Sequence, residues 1–290
     1  MIEYLIGVDG GGTGTRVRLA DRAGVLLAQG RSGPSGLGLG IARAWESVSE
    51  AVHAAFGAIG IHAPALGSVA IGLGLAGVHN KDWAAAFEAA NPGYASLRLS
   101  TDGYTTLLGA HDGRPGIIVA CGTGSVGEAL LADGTQREVS GWGFPAGDEA
   151  SGGWLGLRAV NHIQKVIDGR LPGSAYAQEI IEACGGHRDA IQSWLAQATQ
   201  TSYAALAPIV VAHAASDANA RALLLEAGRE VDMIAAALDP GGTLPLALCG
   251  GLGAPLRPYL PAALLARSVS PAGDAASGAL RMIEQHLKGQ

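Results

Sequence analysis

A glycine-rich segment near the start of the chain has the residue types of an anion-binding loop. Residues 5–19 read LIGVDGGGTGTRVRL, which predicts a strand, a tight loop and a second strand. Glycines let backbone N–H groups approach an anion closely, because no Cβ intervenes. A carboxylate at the strand end can hold Mg²⁺, often through water, and the hydroxyls of Thr13 and Thr15 add donors. The indicated chemistry is binding of nucleotide phosphates by Asp9, Gly10, Gly11, Gly12 and Thr13.

The same segment also fits a plain hairpin turn between two strands. It is not a P-loop, since the pattern Gly-x-x-x-x-Gly-Lys-Ser/Thr is absent. It is not a dinucleotide fingerprint either, because that motif leads from a strand into a helix. Here the following residues 16–20, RVRLA, alternate as a strand does.

A second copy of this segment lies 112 positions further along the chain. Residues 118–133 read IVACGTGSVGEALLAD, against IGVDGGGTGTRVRLAD at residues 6–21, and the match needs no gap. The shared order of strand, loop, strand and turn predicts a duplicated domain. Two such loops indicate one nucleotide bound in a cleft between the two halves, where small-molecule sites are common. The second set of phosphate-binding candidates is Gly122, Thr123, Gly124 and Ser125.

Two further features carry carboxylates that could do chemistry. Asp102 follows the predicted strand 96–100 and opens a helix, so it is either the N-cap of that helix or a proton acceptor in the crevice at the strand ends. The segment 141–149, GWGFPAGDE, is either a solvated loop or a site where Asp148 accepts hydrogen bonds from a polyhydroxyl substrate. Near the end of the chain, Gly250 and Gly251 form either a simple turn or a flat stretch of exposed backbone against which adenosine could bind.

Composition restricts the class of protein. The chain has 290 residues, 48% of them apolar, which suffices for two domains with cores. The net charge of −6 and the lack of a basic run argue against nucleic acid as a partner. No apolar stretch is long enough to span a bilayer, and no signal peptide is evident, so a cytoplasmic protein without membrane partners is expected. The three cysteines are scattered, so neither a disulfide framework nor a cysteine metal site is supported, and Cys121 and Cys249 are expected to be buried.

Periodicity places these motifs on alternating strands and helices. The predicted fold class is α/β, with a mixed sheet covered by helices occurring twice. The predicted domains are residues 1–112 and 113–274, with a closing helix that packs back on the first domain at 275–288. The other predicted elements are helices at 41–57, 81–90 and 103–110, strands at 68–75, 244–249 and 266–269, and a long loop at 141–156.

Taken in order, these motifs resemble the BadF/BadG/BcrA/BcrD ATPase family of the actin, hexokinase and heat-shock ATPase superfamily. They are most similar to N-acetylglucosamine and glucosamine kinases, and NKDW at residues 80–83 looks like bacterial glucosamine kinases. The resemblance implies two ribonuclease-H-like domains and transfer of phosphate from ATP, with Mg²⁺, to the 6-hydroxyl of an amino sugar. The motifs that carry it are DGGGT at 9–13, GLAG at 74–77, TD at 101–102, GTGS at 122–125, GDE at 147–149 and CGG at 249–251.

The resemblance also implies roles for individual residues. Asp102 matches the catalytic base and Asp9 the residue on the metal side, while Gly250 and Gly251 match the adenosine motif. Sugar contacts are expected from Ser35, Gly36, Gly77, Asp102, Gly143 and Asp148.

The loop after the third strand departs from the family pattern. These kinases commonly carry an asparagine that reads sugar hydroxyls there, and this chain has Gly36, with Ser35 as its expected substitute. Two other functions stay open: an ATPase that activates a CoA-ester dehydratase or reductase, and a sugar-binding regulator derived from a kinase. A homodimer also stays open.

Overall fold

The computed structural model describes residues 1–289, which form two compact units. One unit contains Met1–Pro115 and the chain from Ser270 onward, and the other contains Gly116–Val269. Within the described chain, no helix combines the length and apolar character needed to cross a bilayer.

The first unit is built on a mixed five-stranded sheet in the order β3-β2-β1-β4-β5. Strands β1 to β3 are antiparallel neighbours, and β4 and β5 run parallel to β1. The strands are β1 Tyr4–Gly10, β2 Thr15–Asp21, β3 Leu26–Ser32, β4 Val69–Leu75 and β5 Ser96–Ser100. The helices that precede the second unit are α1 Ile41–Gly57, α2 Lys81–Ala89 and α3 Asp102–Ala110.

The second unit repeats this sheet, with the order β10-β9-β6-β7-β8. Its strands are β6 Gly116–Cys121, β7 Ser125–Leu130, β8 Gln136–Ser140, β9 Leu246–Cys249 and β10 Ser268–Val269. Its helices are α4 Gly152–Ile167, α5 Ala175–Ala183, α6 Arg188–Gln197, α7 Gln200–Ala204, α8 Ala207–His213, α9 Ala218–Leu238, α10 Gly253–Leu256 and α11 Ala262–Ala266. The chain then returns to the first unit as α12, Ala275–Lys288.

The two leading hairpins differ in length, which corrects the gapless sequence match. Asp9 pairs with Arg16 across the first hairpin, and Cys121 pairs with Ser125 across the second. If Asp9 is equivalent to Cys121, the offset is 112 before the loop and 109 after it (125 minus 16). The repeat therefore holds for the first strand, and the second strand is displaced by three residues because its loop is shorter.

Strand β1 has buried side chains on both faces of the first sheet. Ile6 and Val8 belong to the core that includes α1, whereas Leu5 packs with Leu280 and Ile283 of α12 on the other face. This alternation follows from the two-residue period of a strand. Helix α12 therefore completes the first unit although it is the last element in sequence.

Helix α12 approaches its neighbours so closely that only glycine fits at the contacts. A Cβ at Gly7 or Gly72 would collide with the α12 backbone, and a Cβ at Gly278 would collide with the backbone of Thr105 in α3. A Cβ at Gly109 would likewise meet the backbone of Asp274. These glycines hold the sheet, α3 and α12 in direct backbone contact.

An ion pair fixes the start of α12. Asp274 caps the helix by accepting from Ser277 N at 2.9 Å, and both of its oxygens accept from Arg18 of β2, at 2.9 and 3.0 Å. A second ion pair joins Arg281 to Asp112. Burial raises the pKa of Asp274, but the hydrogen bonds from Arg18 and Ser277 outweigh it and hold this pKa at about 2.

Asp274→Asn is expected to lower the free energy of unfolding by about 1 kcal/mol at pH 7, because Asn keeps the cap and loses the ion pair. The folded-state pKa lies below the unfolded value of about 3.9. The stabilisation is therefore present above pH 4 and is lost as the pH falls towards 2. Urea unfolding of both proteins at several pH values checks this, and a difference that does not shrink in acid would contradict it.

Several predicted boundaries were wrong, and the predicted strand 244–249 begins only at Leu246. The predicted loop 141–156 contains the first turn of α4, which begins at Gly152 with Ser151 as its N-cap. The glycines there serve close packing, since a Cβ at Gly156 would collide with the backbone of Tyr203. The predicted strand 266–269 is reduced to Ser268–Val269.

Candidate active site

The first glycine loop presents its N–H groups outward. It comprises residues 11–14, and Gly11 N–H closes it by donating to Gly14 O at 3.1 Å. Within residues 1–289, the N–H groups of Gly12, Thr13 and Gly14 have no backbone acceptor. Gly11 and Gly12 have open space where a Cβ would stand. Backbone N–H groups without a backbone acceptor in a short glycine loop suit an anion.

Two carbonyl groups at the start of this loop accept hydrogen bonds from neighbouring segments. Gly11 O accepts from Ser35 N and Gly36 N, both at 3.1 Å, and Gly10 O accepts from Ala76 N at 2.9 Å. These hydrogen bonds occupy the carbonyls of Gly10 and Gly11, whereas the N–H groups of residues 12–14 stay available to a ligand. The same bonds place the segments around Gly36 and Ala76 against the loop.

The second glycine loop is built in the same way. It comprises residues 122–124, and Gly122 N–H donates to Gly124 O at 2.8 Å. Gly152 N donates to Gly122 O at 2.8 Å and Gly153 N donates to Thr123 O at 3.1 Å. In the described chain, the N–H groups of Thr123 and Gly124 have no backbone acceptor. The duplication thus extends to the hydrogen bonding of both loops.

Three hydroxyl groups expected to meet a ligand are engaged inside the protein. Thr15 Oγ1 lies 2.6 Å from Gly33 O and 2.7 Å from Ser35 Oγ. Ser35 is 0% exposed and lies where a Cβ at Gly10 would be. Ser125 Oγ donates to Glu149 O at 2.6 Å. The expected sugar contact of Ser35 is therefore corrected to a packing role under Gly10, while Thr13 and Thr123 are exposed.

Asp9 lies in an environment that suits a divalent cation. Burial raises its pKa, Arg16 lowers it, and the nearby Asp102 and Asp274 raise it further. The balance is a raised pKa, since only Arg16, whose Nε is 3.4 Å from Asp9 Oδ2, offsets the burial and the two negative neighbours. In residues 1–289, no group of three or more His, Cys, Asp or Glu side chains could hold a metal. A single carboxylate such as that of Asp9 can serve Mg²⁺, which uses one or two carboxylates together with water and phosphate oxygens.

Sequence reasoning did not single out Arg16. Its position opposite Asp9 follows from the register of the β1–β2 hairpin. A strand-loop-strand pattern with a basic residue just after the loop is the signal that could have found it.

Asp102 does not act as the N-cap of α3, which was the alternative to a role in catalysis. The N-cap of α3 is Thr101, whose Oγ1 accepts from Tyr104 N at 3.0 Å. Asp102 is the first residue of α3, and its Oδ1 accepts from Gly103 N at 3.1 Å. Because β5 runs parallel to β4 and β4 to β1, Asp102 follows the same carboxyl edge of the sheet as Asp9.

The predicted sugar contacts of the first unit come together beside the first loop. A Cβ at Gly36 would stand 3.5 Å from the carbonyl carbon of Gly11. Leu37 N donates to Ala76 O at 2.9 Å, which brings Gly77 next to this segment. Trp83, which sequence reasoning did not assign to the site, lies against Gly38 and Gly77 and is 41% exposed.

The predicted sugar contacts of the second unit are bonded to each other. Gly143 N donates to Asp148 Oδ1 at 3.2 Å, and Gln200 Nε2 donates to Asp148 Oδ2 at 2.5 Å. Asp148 is only 6% exposed, so the alternative of a solvated acidic loop does not hold for this residue, although the neighbouring Trp142 is 88% exposed. Gln200 also donates to Thr123 O at 3.2 Å. No sequence signal pointed to Gln200.

The predicted adenosine motif follows β9. Gly250 has a φ of +78°, and a Cβ there would collide with the backbone of Cys121. Gly251 is exposed, with nothing within 4 Å of its Cβ position. Leu252 N donates to Cys121 O at 3.0 Å, so this motif also anchors the start of the second loop.

Comparison with known proteins gives consistent matches over most of the chain. The sequence model of the BadF/BadG/BcrA/BcrD ATPase family matches residues 6–250. Glucosamine kinase GspK of Vibrio cholerae is 33% identical over 96% of this chain and 95% of its own. An N-acetylmuramic acid/N-acetylglucosamine kinase of Clostridium acetobutylicum is 27% identical over 79% of this chain and 77% of its own.

A solved structure is similar over nearly the whole length. It is that of a candidate N-acetylglucosamine kinase from Chromobacterium violaceum, with a TM-score of 0.93 and 52% identity. The match covers 97% of this chain and 99% of the other. The predicted fold class, two mixed sheets flanked by helices in a duplicated arrangement, is confirmed.

Proposed function

Because the chain belongs to the BadF/BadG/BcrA/BcrD ATPase family, we propose that it is an amino-sugar kinase that phosphorylates glucosamine or N-acetylglucosamine with ATP. The observation that carries the proposal is the pair of glycine loops, in which the N–H groups of Gly12, Thr13, Thr123 and Gly124 have no backbone acceptor among the described residues. Asp102, whose carboxylate is not the N-cap of α3, lies at the same sheet edge as the first loop. We also propose that it acts in the cytoplasm, where ATP is supplied.

The proposed reaction is a phosphoryl transfer in which Asp102 accepts the proton of the sugar hydroxyl. As that oxygen bonds to the γ-phosphorus, the bond from the γ-phosphorus to the bridging oxygen of ADP breaks. Amides of Gly12 and Thr13 would stabilise the charge on the phosphate oxygens, and preorganised donors of this kind are usually the largest single contribution to catalysis. We propose the 6-hydroxyl as acceptor, since a primary alcohol projects furthest from the sugar ring.

Asp9 is the residue proposed to hold Mg²⁺, through water or directly. The metal, when bound, neutralises phosphate charge and orients the phosphates. The raised pKa of Asp9 and the neighbouring carboxylates of Asp102 and Asp274 support this, because a cation would offset the repulsion among them.

Asp9→Asn is expected to raise the Mg²⁺ concentration needed for half-maximal activity by about tenfold or more, since the charge that attracts the metal is lost. Activity measured over a Mg²⁺ titration checks this. Asp189→Asn, which changes an exposed aspartate in the first turn of α6, is the matched control and should leave the titration unchanged. An unchanged titration for Asp9→Asn would remove Asp9 from the metal site.

The buried thiols favour the kinase over the activator alternative. An activator of a CoA-ester dehydratase would bind an iron–sulfur cluster through cysteine thiolates. All three cysteines are buried, and burial raises the pKa of Cys121 and of Cys249 to about 12. Such thiols are poor metal ligands, because the thiolate is the form that binds.

Substrate identity is tested by measuring ADP release with a panel of sugars. Glucosamine, N-acetylglucosamine, N-acetylmuramic acid and glucose are compared at equal concentration. We expect an amino sugar to give the highest kcat/KM, and carbon–phosphorus coupling at C6 in the NMR spectrum of the product. No stimulation by any sugar would reject the proposal, and sugar binding without turnover would favour the regulator.

A further inference from the structure

A continuous set of hydrogen bonds joins two loops of the second unit that are distant in sequence. Gly143 N donates to Asp148 Oδ1, and the Gln200 amide donates both to Asp148 Oδ2 and to Thr123 O. The link runs from the loop with the predicted sugar contacts to the predicted phosphate loop. Gln200 belongs to neither loop and is hydrogen-bonded to both.

The phosphate loop depends on this link for part of its orientation. Thr123 O accepts from Gly153 N at 3.1 Å and from Gln200 Nε2 at 3.2 Å. These bonds hold the carbonyl inward, which turns the following amide of Gly124 outward. A Cβ at Gly124 would stand only 2.6 Å from Asp148 Oδ2, so the loop rests directly on the carboxylate.

The sequence context holds Gln200 at this point. It is the first residue of α7, and Thr199 and Ser202 form a reciprocal capping box around it. A Cβ at Gly153 would lie 2.9 Å from Gln200 Cγ, so α4 packs against the stem of the side chain. The amide is therefore placed by a short capped helix on one side and by a glycine contact on the other.

We propose that Gln200 is a positioning residue that couples sugar binding to the second phosphate loop. A sugar hydroxyl donating to Asp148 shares the acceptor that Gln200 uses, so occupancy of Asp148 changes how firmly Gln200 holds Thr123 O. The outward amides of Thr123 and Gly124 are thereby oriented for the nucleotide when sugar is present. The inference rests on the proposed function, because it requires a sugar at Asp148 and a phosphate at the loop.

The test is the thermodynamic coupling between sugar and ADP in the full-length protein. The Kd of ADP is measured by calorimetry with and without saturating sugar, together with kcat and both KM values. In the unaltered protein we expect sugar to tighten ADP binding at least about fivefold, a typical coupling. Gln200→Met, which keeps length and removes the donors, should bring this ratio close to one and lower kcat about tenfold.

Two further variants separate coupling from a loss of structure. Gln197→Met alters an exposed glutamine at the end of α6 and should leave the ratio unchanged. Gln200→Glu keeps the shape but places a carboxylate against Asp148. When two carboxylates share a site, the pKa of one of them is raised, so the pair binds a proton as the pH falls. This variant should therefore lack coupling at pH 8 and regain part of it near pH 6. A role limited to folding would not give acid rescue.

The outcomes distinguish this inference from the proposed function. If the unaltered protein phosphorylates a sugar but shows no coupling, or if Gln200→Met keeps both coupling and kcat, the role of Gln200 is rejected and the kinase stands. If the unaltered protein phosphorylates no sugar, the function itself fails, and the inference fails with it.

Discussion

Asp102→Asn is expected to lower kcat for amino-sugar phosphorylation at least ~100-fold and to leave the Kd values of sugar and ATP within about threefold. Asn is nearly isosteric with Asp and can keep the hydrogen bond from Gly103 N, but it cannot accept the proton of the attacking hydroxyl. Thr101 provides the N-cap of α3, so the substitution should leave the helix intact. Steady-state kinetics with calorimetric binding measures both quantities.

Asp82→Asn is the matched control for this effect. Asp82 also lies in the first turn of a helix of the first unit, two residues after the N-cap Asn80. Its substitution should leave kcat unchanged. If Asp102→Asn retained near-normal kcat, Asp102 would be no more than a first-turn aspartate, and another group would have to take the proton.

Gly278→Ala is expected to reduce the free energy of unfolding by about 3 kcal/mol or more, the upper range for overpacking a core. Alanine has the higher helix propensity, by about 1 kcal/mol, so propensity alone predicts stabilisation. The added methyl group would instead collide with the backbone of Thr105 in α3. Backbone atoms cannot rotate out of the way as the end of a flexible side chain can. The contact between α12 and α3 would have to open.

Gly57→Ala is the control for the propensity term. Gly57 is the last residue of α1, and nothing lies within 4 Å of the position of its Cβ. This variant should be neutral or slightly more stable. Urea unfolding and thermal melts of both variants make the comparison, and equal stability of the two would show that α12 and α3 are not packed backbone to backbone.

Local patterns were enough to locate the elements that carry the site. Helix α1 and strand β5 have the predicted bounds, because continuous helical spacing and a short apolar run are local signals. The position of Asp102 after a parallel strand followed from the same reasoning. The N-terminal turn of α4 was missed because its glycines look like a loop, and they are explained by close packing of Gly153 against Gln200 and of Gly156 against Tyr203.

Contacts between distant residues could not be predicted in this way. Thr13 and Thr15 are the same residue type two positions apart, yet Thr15 is buried against Ser35 and Thr13 is exposed. Thr13 lies in the loop 11–14, whereas Thr15 is the first residue of β2, and the point where the loop ends and the strand begins was not readable from the sequence. Gln200 meets Asp148 across 52 positions, a distance over which no sequence pattern signals a hydrogen bond.

The most direct test of the central claim is the stoichiometry of one reaction with ATP, Mg²⁺ and glucosamine or N-acetylglucosamine. ADP, inorganic phosphate and sugar phosphate are quantified together at several times. We expect equal amounts of ADP and phosphorylated amino sugar, with little inorganic phosphate and little ADP when sugar is omitted. ADP matched by inorganic phosphate, at the same rate with and without sugar, would contradict it and identify an ATPase.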